Sequence, residues 1–250
     1  MLTAIVITLS IVALGYGLRQ VGLVPDDAWV YVGRLCYWVL FPGLLFNLMS
    51  RAPLGSGFVG SFILTLAIGS AVIVGYALLA GWLARLDGPS TSSLVQGALR
   101  HNGFLVLSIV QGAFGMAALE IVAIAIAFLV PISNIVSIVA LLSFKPRGQG
   151  GSLRRAVARE TMRNPLLAAI LAGVLVNLLA IPVPPLVTGV GEMLGNGALP
   201  LLLLGIGASL RFSAIQGDAV PLILAVLAKI LLFPFCLVMV GVQLGLEPLS

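Results

Sequence analysis

Charged residues make up only 8% of this 250-residue chain, whereas 60% of its residues are hydrophobic. A soluble domain is about one quarter charged, so the composition excludes a water-soluble protein and makes the lipid bilayer the solvent. The chain has one histidine and two cysteines, too few clustered ligands for a structural zinc site. Cys36 and Cys236 lie in apolar stretches, where a thiol behaves as a small hydrophobic group. We therefore expect neither a metal nor a cofactor, and the cysteines say little about disulfides.

Eight apolar segments have lengths near the roughly 20 residues that an α-helix needs to cross a bilayer. They are continuously apolar rather than alternating, which favours helices over a β-barrel. The first segment lacks the basic start of a secretory signal peptide, because no Lys or Arg precedes Arg19, and we interpret it as a retained helix. The sequence therefore predicts an all-α, polytopic membrane protein. The segments are 2–18, 28–49, 58–84, 94–115, 121–144, 165–181, 186–210 and 219–246.

The net charge of +5 comes from one stretch between the fifth and sixth segments. Six basic residues less Glu160 give 6 − 1 = 5 there, and the other seven basic residues balance seven acidic ones. A basic loop between apolar segments indicates the cytoplasmic side, whereas nucleic-acid binding, which also uses basic patches, is not expected. We therefore place loop 145–164 in the cytoplasm, the protein in a bacterial inner membrane and the amino terminus outside. The basic residues are Lys145, Arg147, Arg154, Arg155, Arg159 and Arg163.

Two parts of the chain share a pattern at an offset of 173 − 15 = 158 residues. Gly15 precedes Pro42 by 27 positions, as Gly173 precedes Pro200, and each pair frames two apolar spans, the second broken by its proline. Repeats with interrupted spans are typical of secondary transporters. We predict two inverted five-helix repeats in which spans six to eight match spans one to three. Arg100 would then match position 258, so the last two of ten spans are predicted to be missing, unless this is a true eight-span protein.

The fourth predicted span contains the most unusual polar sequence of the chain. Arg100, His101, Asn102 and Gly103 follow one another inside it. A charged side chain at that depth is costly unless it faces water, a partner or a ligand, and glycine weakens a helix locally. We therefore predict a broken helix whose polar residues bind substrate. As alternatives, Arg100 can snorkel to the headgroups, and His101 can be a structural residue or a proton carrier.

Spans five and eight add further candidates. Pro131 removes a backbone hydrogen bond within span five, so Asn134 and Ser137 can bind freed backbone groups or a ligand, with packing against span four as the alternative. Lys229 in span eight has no acidic neighbour in sequence and is a ligand-facing cation, the partner of a residue in the missing helices or a snorkelling side chain. Weaker candidates are Asn47, Asn177, Glu192 and Asn196.

The ordered set of motifs resembles the auxin efflux carrier family of membrane transporters, whose fold is related to that of the bile acid:sodium symporters. The resemblance spans nearly the whole chain, and it depends on the order and spacing of strings that are individually weak. The main strings are Leu14-Gly15-Tyr16, Phe41-Pro42-Gly43-Leu44-Leu45-Phe46, Arg100-His101-Asn102, Pro131-Ile132-Ser133-Asn134, Asn164-Pro165-Leu166, Ala198-Leu199-Pro200 and Gly207-Ala208-Ser209-Leu210.

The resemblance implies ten helices, with broken fourth and ninth helices that cross at the substrate site. It implies scaffold helices at 1–52 and 165–213, and parts of a moving transport domain at 53–144 and 214–250, joined by loop 145–164. Arg100, Asn102 and Gly103 would lie at the crossover and Asn134 would line it. His101 and Gly103 stand where the family commonly has proline and threonine, which leaves the local backbone open. With the ninth and tenth helices absent, a chain ending at Ser250 is not expected to transport alone.

The sequence therefore predicts a carrier that moves small organic anions such as carboxylates across the membrane by alternating access. Its candidate coupling ions are a proton and sodium, and the substrate, direction and oligomeric state, including a homodimer, stay open. One alternative is a truncated or non-transporting membrane scaffold or subunit. An intramembrane enzyme fits less well, because the chain has no Gly-x-Ser-x-Gly string and no pair of aspartates within spans. The predicted substrate-binding residues are Arg100, His101, Asn102, Gly103, Asn134 and Lys229.

Overall fold

The computed structural model describes residues 2–144, 157–159, 162–210 and 219–246, and the regular structure within these ranges is helical. The predicted basic loop 145–164 lies mostly outside the described residues. The α-helices are α1 (Leu2–Gln20), α2 (Asp26–Leu35), α3 (Phe41–Arg51), α4 (Phe58–Leu83), α5 (Gly88–Leu99), α6 (Gly103–Phe114), α7 (Met116–Ser143), α8 (Pro165–Leu178), α9 (Pro185–Ser209), α10 (Ala219–Leu227) and α11 (Phe233–Gln243).

Six helical segments in the described part of the chain are long and apolar enough to cross a bilayer. The chain is therefore a multi-pass membrane protein whose described part is helical. The predicted fourth span is instead the interrupted pair α5 and α6, and the predicted sixth span contains the 14-residue α8. Eight crossings and an inverted repeat accordingly stay predictions. The six segments are Leu2–Gln20, Asp26–Arg51, Phe58–Leu83, Ala118–Ser143, Pro185–Ser209 and Ala219–Gln243.

Prolines within the long segments act differently from one another. A π-helical turn, Cys36–Leu40, joins α2 to α3, and a second, Ala228–Leu232, joins α10 to α11. Each turn is followed by Phe-Pro, and because proline lacks a backbone N–H the helix can widen there without losing a further bond. The expectation that Pro200 breaks its span is wrong, since α9 runs through this proline as one helix. A helix can absorb the missing bond and the ring clash of one proline as a kink.

The chain divides into two compact units. Unit one comprises the described residues of Met1–Leu54, Asn102–Ala127 and Arg163–Phe212. Unit two comprises those of Gly55–His101, Phe128–Met162 and Ser213–Ser250. The chain therefore passes from one unit to the other between His101 and Asn102, within the polar sequence singled out above.

In unit one, α1 and α9 touch backbone to backbone at two glycines. A Cβ atom built on Gly15 would lie 2.1 Å from the carbonyl oxygen of Leu204. A Cβ atom built on Gly207 would lie 1.9 Å from the carbonyl oxygen of Val12. Small residues let membrane helices approach this closely, so neither position has room for a side chain.

In unit two, α5 packs against α4 and α10 around small and branched apolar side chains. The close fit extends to Gly97, where a Cβ atom would lie 3.2 Å from the Cβ of Ala225. The hydroxyl of Tyr76 donates a hydrogen bond to the carbonyl of Leu224, 3.4 Å away. This packing fixes the end of α5 beside the π turn of span eight. The buried members of the core are Ile73, Ala77, Leu94, Val95, Ala98, Ala140, Ala225, Ala228 and Phe233.

Candidate functional site

The helix of the fourth span is interrupted at the predicted polar sequence. α5 begins after Asp87, whose carboxylate accepts a hydrogen bond from the backbone N–H of Ser90 at 2.9 Å. Hydrogen bonding to the Ser90 side chain, and then to this backbone N–H, lowers the pKa of Asp87. α5 ends at Leu99, and Arg100 takes an extended conformation (φ −68°, ψ 120°). α6 then begins at Gly103, with Asn102 as its N-cap. The interruption places backbone polar groups and three polar side chains within an otherwise apolar stretch.

Arg100 and Asn134 meet within unit two. The guanidinium Nη2 of Arg100 donates to the side-chain oxygen Oδ1 of Asn134, 3.4 Å away, and Arg100 is exposed. The two ion pairs in the described ranges are Arg19–Asp26 and Arg51–Glu192, so within them Arg100 is not neutralised by a carboxylate. A cation in an apolar segment without such a partner is a functional candidate, because its charge must be compensated by water or a ligand.

Lys229 reaches the same end of α5. Its ammonium Nζ donates a hydrogen bond to the backbone carbonyl of Arg100. The lysine belongs to the π turn of span eight, 129 residues away in the chain. The structure therefore brings three of the predicted residues, Arg100, Asn134 and Lys229, together in unit two.

His101 packs against an aromatic ring of unit two. Its imidazole centroid lies 4.5 Å from the ring centroid of Phe233, with the planes inclined at 44°. Phe233 is 6% exposed and belongs to the core of unit two. The ring therefore fills space beside a core phenylalanine, while its two buried nitrogens have no hydrogen-bond partner among the described residues. A hydrogen-bonded structural role and a proton-carrying role for His101 both stay predictions.

Asn102 and Gly103 belong to unit one, where they begin α6. The side-chain oxygen of Asn102 accepts a hydrogen bond from the backbone N–H of Leu105 at 3.2 Å, which satisfies one of the free donors at a helix start. A Cβ atom on Gly103 would lie 3.1 Å from the side chain of Ile126, so a larger residue would push that side chain aside. Both residues thus have local structural roles.

Removing the Asn102 cap is expected to lower stability modestly. Asn102→Ala loses the bond to Leu105 and should cost about 1 kcal/mol, whereas Asn102→Ser keeps a capping oxygen and should cost less. Thermal unfolding in detergent should show a fall of about 2–4 °C for alanine. Asn196→Ala, at an exposed position inside α9, is the matched control. Equal midpoints for the alanine and serine variants at position 102 would contradict the capping role.

Two of the weaker candidates have structural roles in unit one. The side-chain amide of Asn177 donates to the backbone carbonyls of Met49 and Ala52, at 3.1 Å and 2.9 Å. Glu192 pairs with Arg51 at 2.8 Å. Asn177 therefore satisfies the free carbonyls at the end of α3, and Glu192 neutralises an exposed arginine nearby.

Comparison with known proteins relates this chain to a protein that is named as a transporter. No family model matches the chain. The chain is 27% identical over 216 residues to a protein of Methanothermobacter thermautotrophicus (strain Delta H) named "Uncharacterized transporter". The match covers 82% of this chain and 66% of that relative. A transporter is thus among its relatives.

Sequence reasoning missed the backbone carbonyl of Arg100 and the ring of Phe233 as parts of this site. The carbonyl could not be singled out, because every residue has one and only the interruption of α5 frees it. The Phe-Pro step at 233–234 did offer a signal, since proline within an apolar span often accompanies a local change of helix type. Lys229 lies four positions before Phe233 and therefore on the same face of the helix. This spacing was a signal that the two side chains belong to one site.

Proposed function

We propose that this protein is a secondary transporter that moves small organic anions, such as carboxylates, by alternating access. The observation that supports it best is the exposed Arg100 guanidinium at a helix interruption, with the Asn134 amide beside it and no carboxylate paired to it among the described residues. Alternating access needs two bodies, and the chain contains two compact units. We further propose a bacterial inner-membrane location with the amino terminus outside, on the charge of loop 145–164.

The chemistry of Arg100 and Asn134 suits a carboxylate. Guanidinium presents a planar fork of N–H donors that matches the two oxygens of a carboxylate. Asn134 uses its Oδ1 to accept from Arg100, which leaves its two amide N–H groups as donors. A carboxylate bound there would receive hydrogen bonds from both residues and neutralise a cation that is costly in the bilayer.

A geometric correspondence in unit one supports the proposal of an inverted repeat, which the resemblance to the auxin efflux carrier family also implies. An offset of 158 relates Gly15 to Gly173 and also relates Phe46 to Leu204 (46 + 158 = 204). Gly15 approaches the carbonyl oxygen of Leu204, with a built Cβ 2.1 Å from it. A Cβ atom built on Gly173 would lie 2.8 Å from the carbonyl oxygen of Phe46 and equally close to the Cβ of Met49. The same offset therefore relates the two glycines and the two carbonyls they approach, and this supports the proposal of symmetric repeats.

The relative named a transporter and the six apolar helices support membrane transport in general. The name of that relative also favours a transporter over an enzyme. A transporter and an intramembrane enzyme differ in what happens to the solute. A transporter delivers it chemically unchanged, whereas an enzyme yields a product.

The proposal is tested with the complete gene product, purified and reconstituted in sealed liposomes. Radiolabelled acetate, benzoate and succinate are offered outside, with glucose as a neutral control solute. We expect at least one anion, and not glucose, to accumulate above the level of protein-free liposomes, with its label unchanged on chromatography. Anion-dependent thermal stabilisation in detergent provides a binding measurement that does not require transport. Label recovered as product, or neither uptake nor stabilisation with a broad carboxylate panel, would contradict the proposal.

A further inference from the structure

The carboxyl end of α5 is bonded to a lysine from a distant part of unit two. The backbone N–H of Arg100 closes the last turn on the carbonyl of Gln96 at 2.9 Å, and its own carbonyl accepts a hydrogen bond from Nζ of Lys229. The last carbonyls of an α-helix have no N–H partner within it and bear partial negative charge. The ammonium therefore satisfies a free acceptor and complements the helix dipole at once.

The position of Lys229 follows from the helix that contains it. The π turn Ala228–Leu232 precedes a Phe-Pro step. The turn Cys36–Leu40 also precedes Phe-Pro and has Tyr37 in the place of Lys229. The widened turn is thus tied to the Phe-Pro step, and the lysine is not needed to form it. Replacing Lys229 should leave the backbone of its turn intact, which makes the substitution a clean test.

Packing on both sides of Lys229 fixes its direction. Ala228 is fully buried in the core of unit two, and Phe233 is 6% exposed. Lys229 contacts Arg100, and Phe233 contacts the next residue, His101. Two residues four positions apart on one helix thus meet two consecutive residues of the interruption. A snorkelling lysine would extend its ammonium to the headgroups, whereas this ammonium is bound to a backbone carbonyl.

We propose that Lys229 is a positioning residue, a resident cation at the carboxyl end of α5 that makes solute binding independent of sodium. In transporters with interrupted helices, freed carbonyls and the carboxyl ends of half-helices bind Na⁺. Here the ammonium of Lys229, which is part of the chain itself, binds such a carbonyl, that of Arg100. Its link to solute binding rests on the proposed function, although the contact itself does not. Lys229 holds the end of α5, and the guanidinium of Arg100 is left to meet the solute.

Thermal unfolding of the purified protein tests this assignment through its response to cations. Midpoints are compared in sodium chloride and in choline chloride at equal ionic strength. We expect the unsubstituted protein to unfold at the same temperature in both. Lys229→Ala should unfold about 3–6 °C lower in choline and recover part of that loss with sodium chloride or propylammonium chloride, whose cations fit the vacated space. Leu231→Ala, at a position 61% exposed on the same helix, should show no cation response.

Amide hydrogen exchange gives a second readout that does not depend on transport. In Lys229→Met, the peptide covering residues 97–104 should exchange about ten-fold faster than in the unsubstituted protein. Lys229→Arg, which keeps a donor and a charge, should stay closer to the original rate. This measurement also decides the case if Lys229→Ala fails to fold.

Three outcomes would overturn the assignment. They are an unsubstituted protein that is stabilised by sodium over choline, a Lys229→Met variant with unchanged exchange, and a Lys229→Ala variant that no cation restores. Loss of anion uptake and anion binding in every variant, the unsubstituted protein included, would instead contradict the proposed function. The exchange rates and the cation responses would still test the role of Lys229, because neither measurement depends on anion binding.

Discussion

Gly15→Ala is expected to destabilise the protein by about 3 kcal/mol, whereas Gly17→Ala, two residues later on the same helix, should stabilise it slightly. The new methyl group at position 15 would lie 2.1 Å from the carbonyl oxygen of Leu204, so α1 and α9 must move apart. At position 17 a Cβ meets no described atom within 4 Å. Alanine there gains about 0.8–1.0 kcal/mol of helix propensity over glycine. The two substitutions have the same chemistry and opposite signs.

The contacting atoms explain the size of the expected loss. A flexible side chain can rotate away from an added methyl group, but a carbonyl oxygen belongs to the rigid backbone of α9. Overpacking a tight site typically costs 1–3 kcal/mol, and the rigid partner places this case at the upper end. Membrane helices have little hydrophobic drive to reassociate, so lost van der Waals contact is not regained elsewhere.

Thermal unfolding in detergent measures the effect, with an expected fall of about 6–12 °C for Gly15→Ala. Gly207→Ala should behave alike, because its Cβ would lie 1.9 Å from the carbonyl of Val12. Gly205→Ala is its matched control, since a Cβ there also meets no described atom within 4 Å. If Gly15→Ala and Gly17→Ala unfold at the same temperature, the backbone contact between α1 and α9 is absent.

Composition alone indicated a helical membrane protein, because a chain so poor in charge has few other stable states. The interruption at residues 100–102 could also be predicted, since an arginine followed by asparagine and glycine is costly within an unbroken apolar helix. Pro200 shows the limit of such local rules. A proline removes one hydrogen bond whether or not the helix ends there, and its neighbours in the fold decide between a kink and a break.

Contacts between residues far apart in the chain could not be predicted from the sequence. The partner of Lys229 is a backbone carbonyl 129 residues away, and a carbonyl leaves no mark in a residue pattern. Gly15 and Gly173 were recognised as matching positions, but their contacts with Leu204 and Phe46 depend on which helices pack together. Once those contacts are known, the offset of 158 that relates the two glycines is seen to relate their contact partners, Phe46 and Leu204, as well.

The largest functional effect is expected at Arg100. Arg100→Gln should weaken the binding of a carboxylate solute about 10- to 150-fold, equivalent to about 1.5–3 kcal/mol for a hydrogen bond to a charged group. Arg100→Lys keeps the charge and loses the planar fork, so it should bind with intermediate affinity. Asn134→Leu removes a neutral donor and should cost about 1 kcal/mol, or about five-fold. The measurement is a titration of thermal stability with the anion that the uptake assay identifies.

The control for Arg100 is another exposed arginine of unit two. Arg85 lies in the turn after α4 with a positive φ of 52°, a conformation that asparagine tolerates, so Arg85→Asn removes a charge with little strain. We expect this variant to bind the anion normally. A double variant of Arg100→Gln with Asn134→Leu should lose less than the sum of the single losses, because both donors serve the same carboxylate. Unchanged affinity in Arg100→Gln would mean that the interruption of α5 does not bind the anion. An equal loss in Arg100→Gln and Arg85→Asn would mean that net surface charge, and not this site, attracts it.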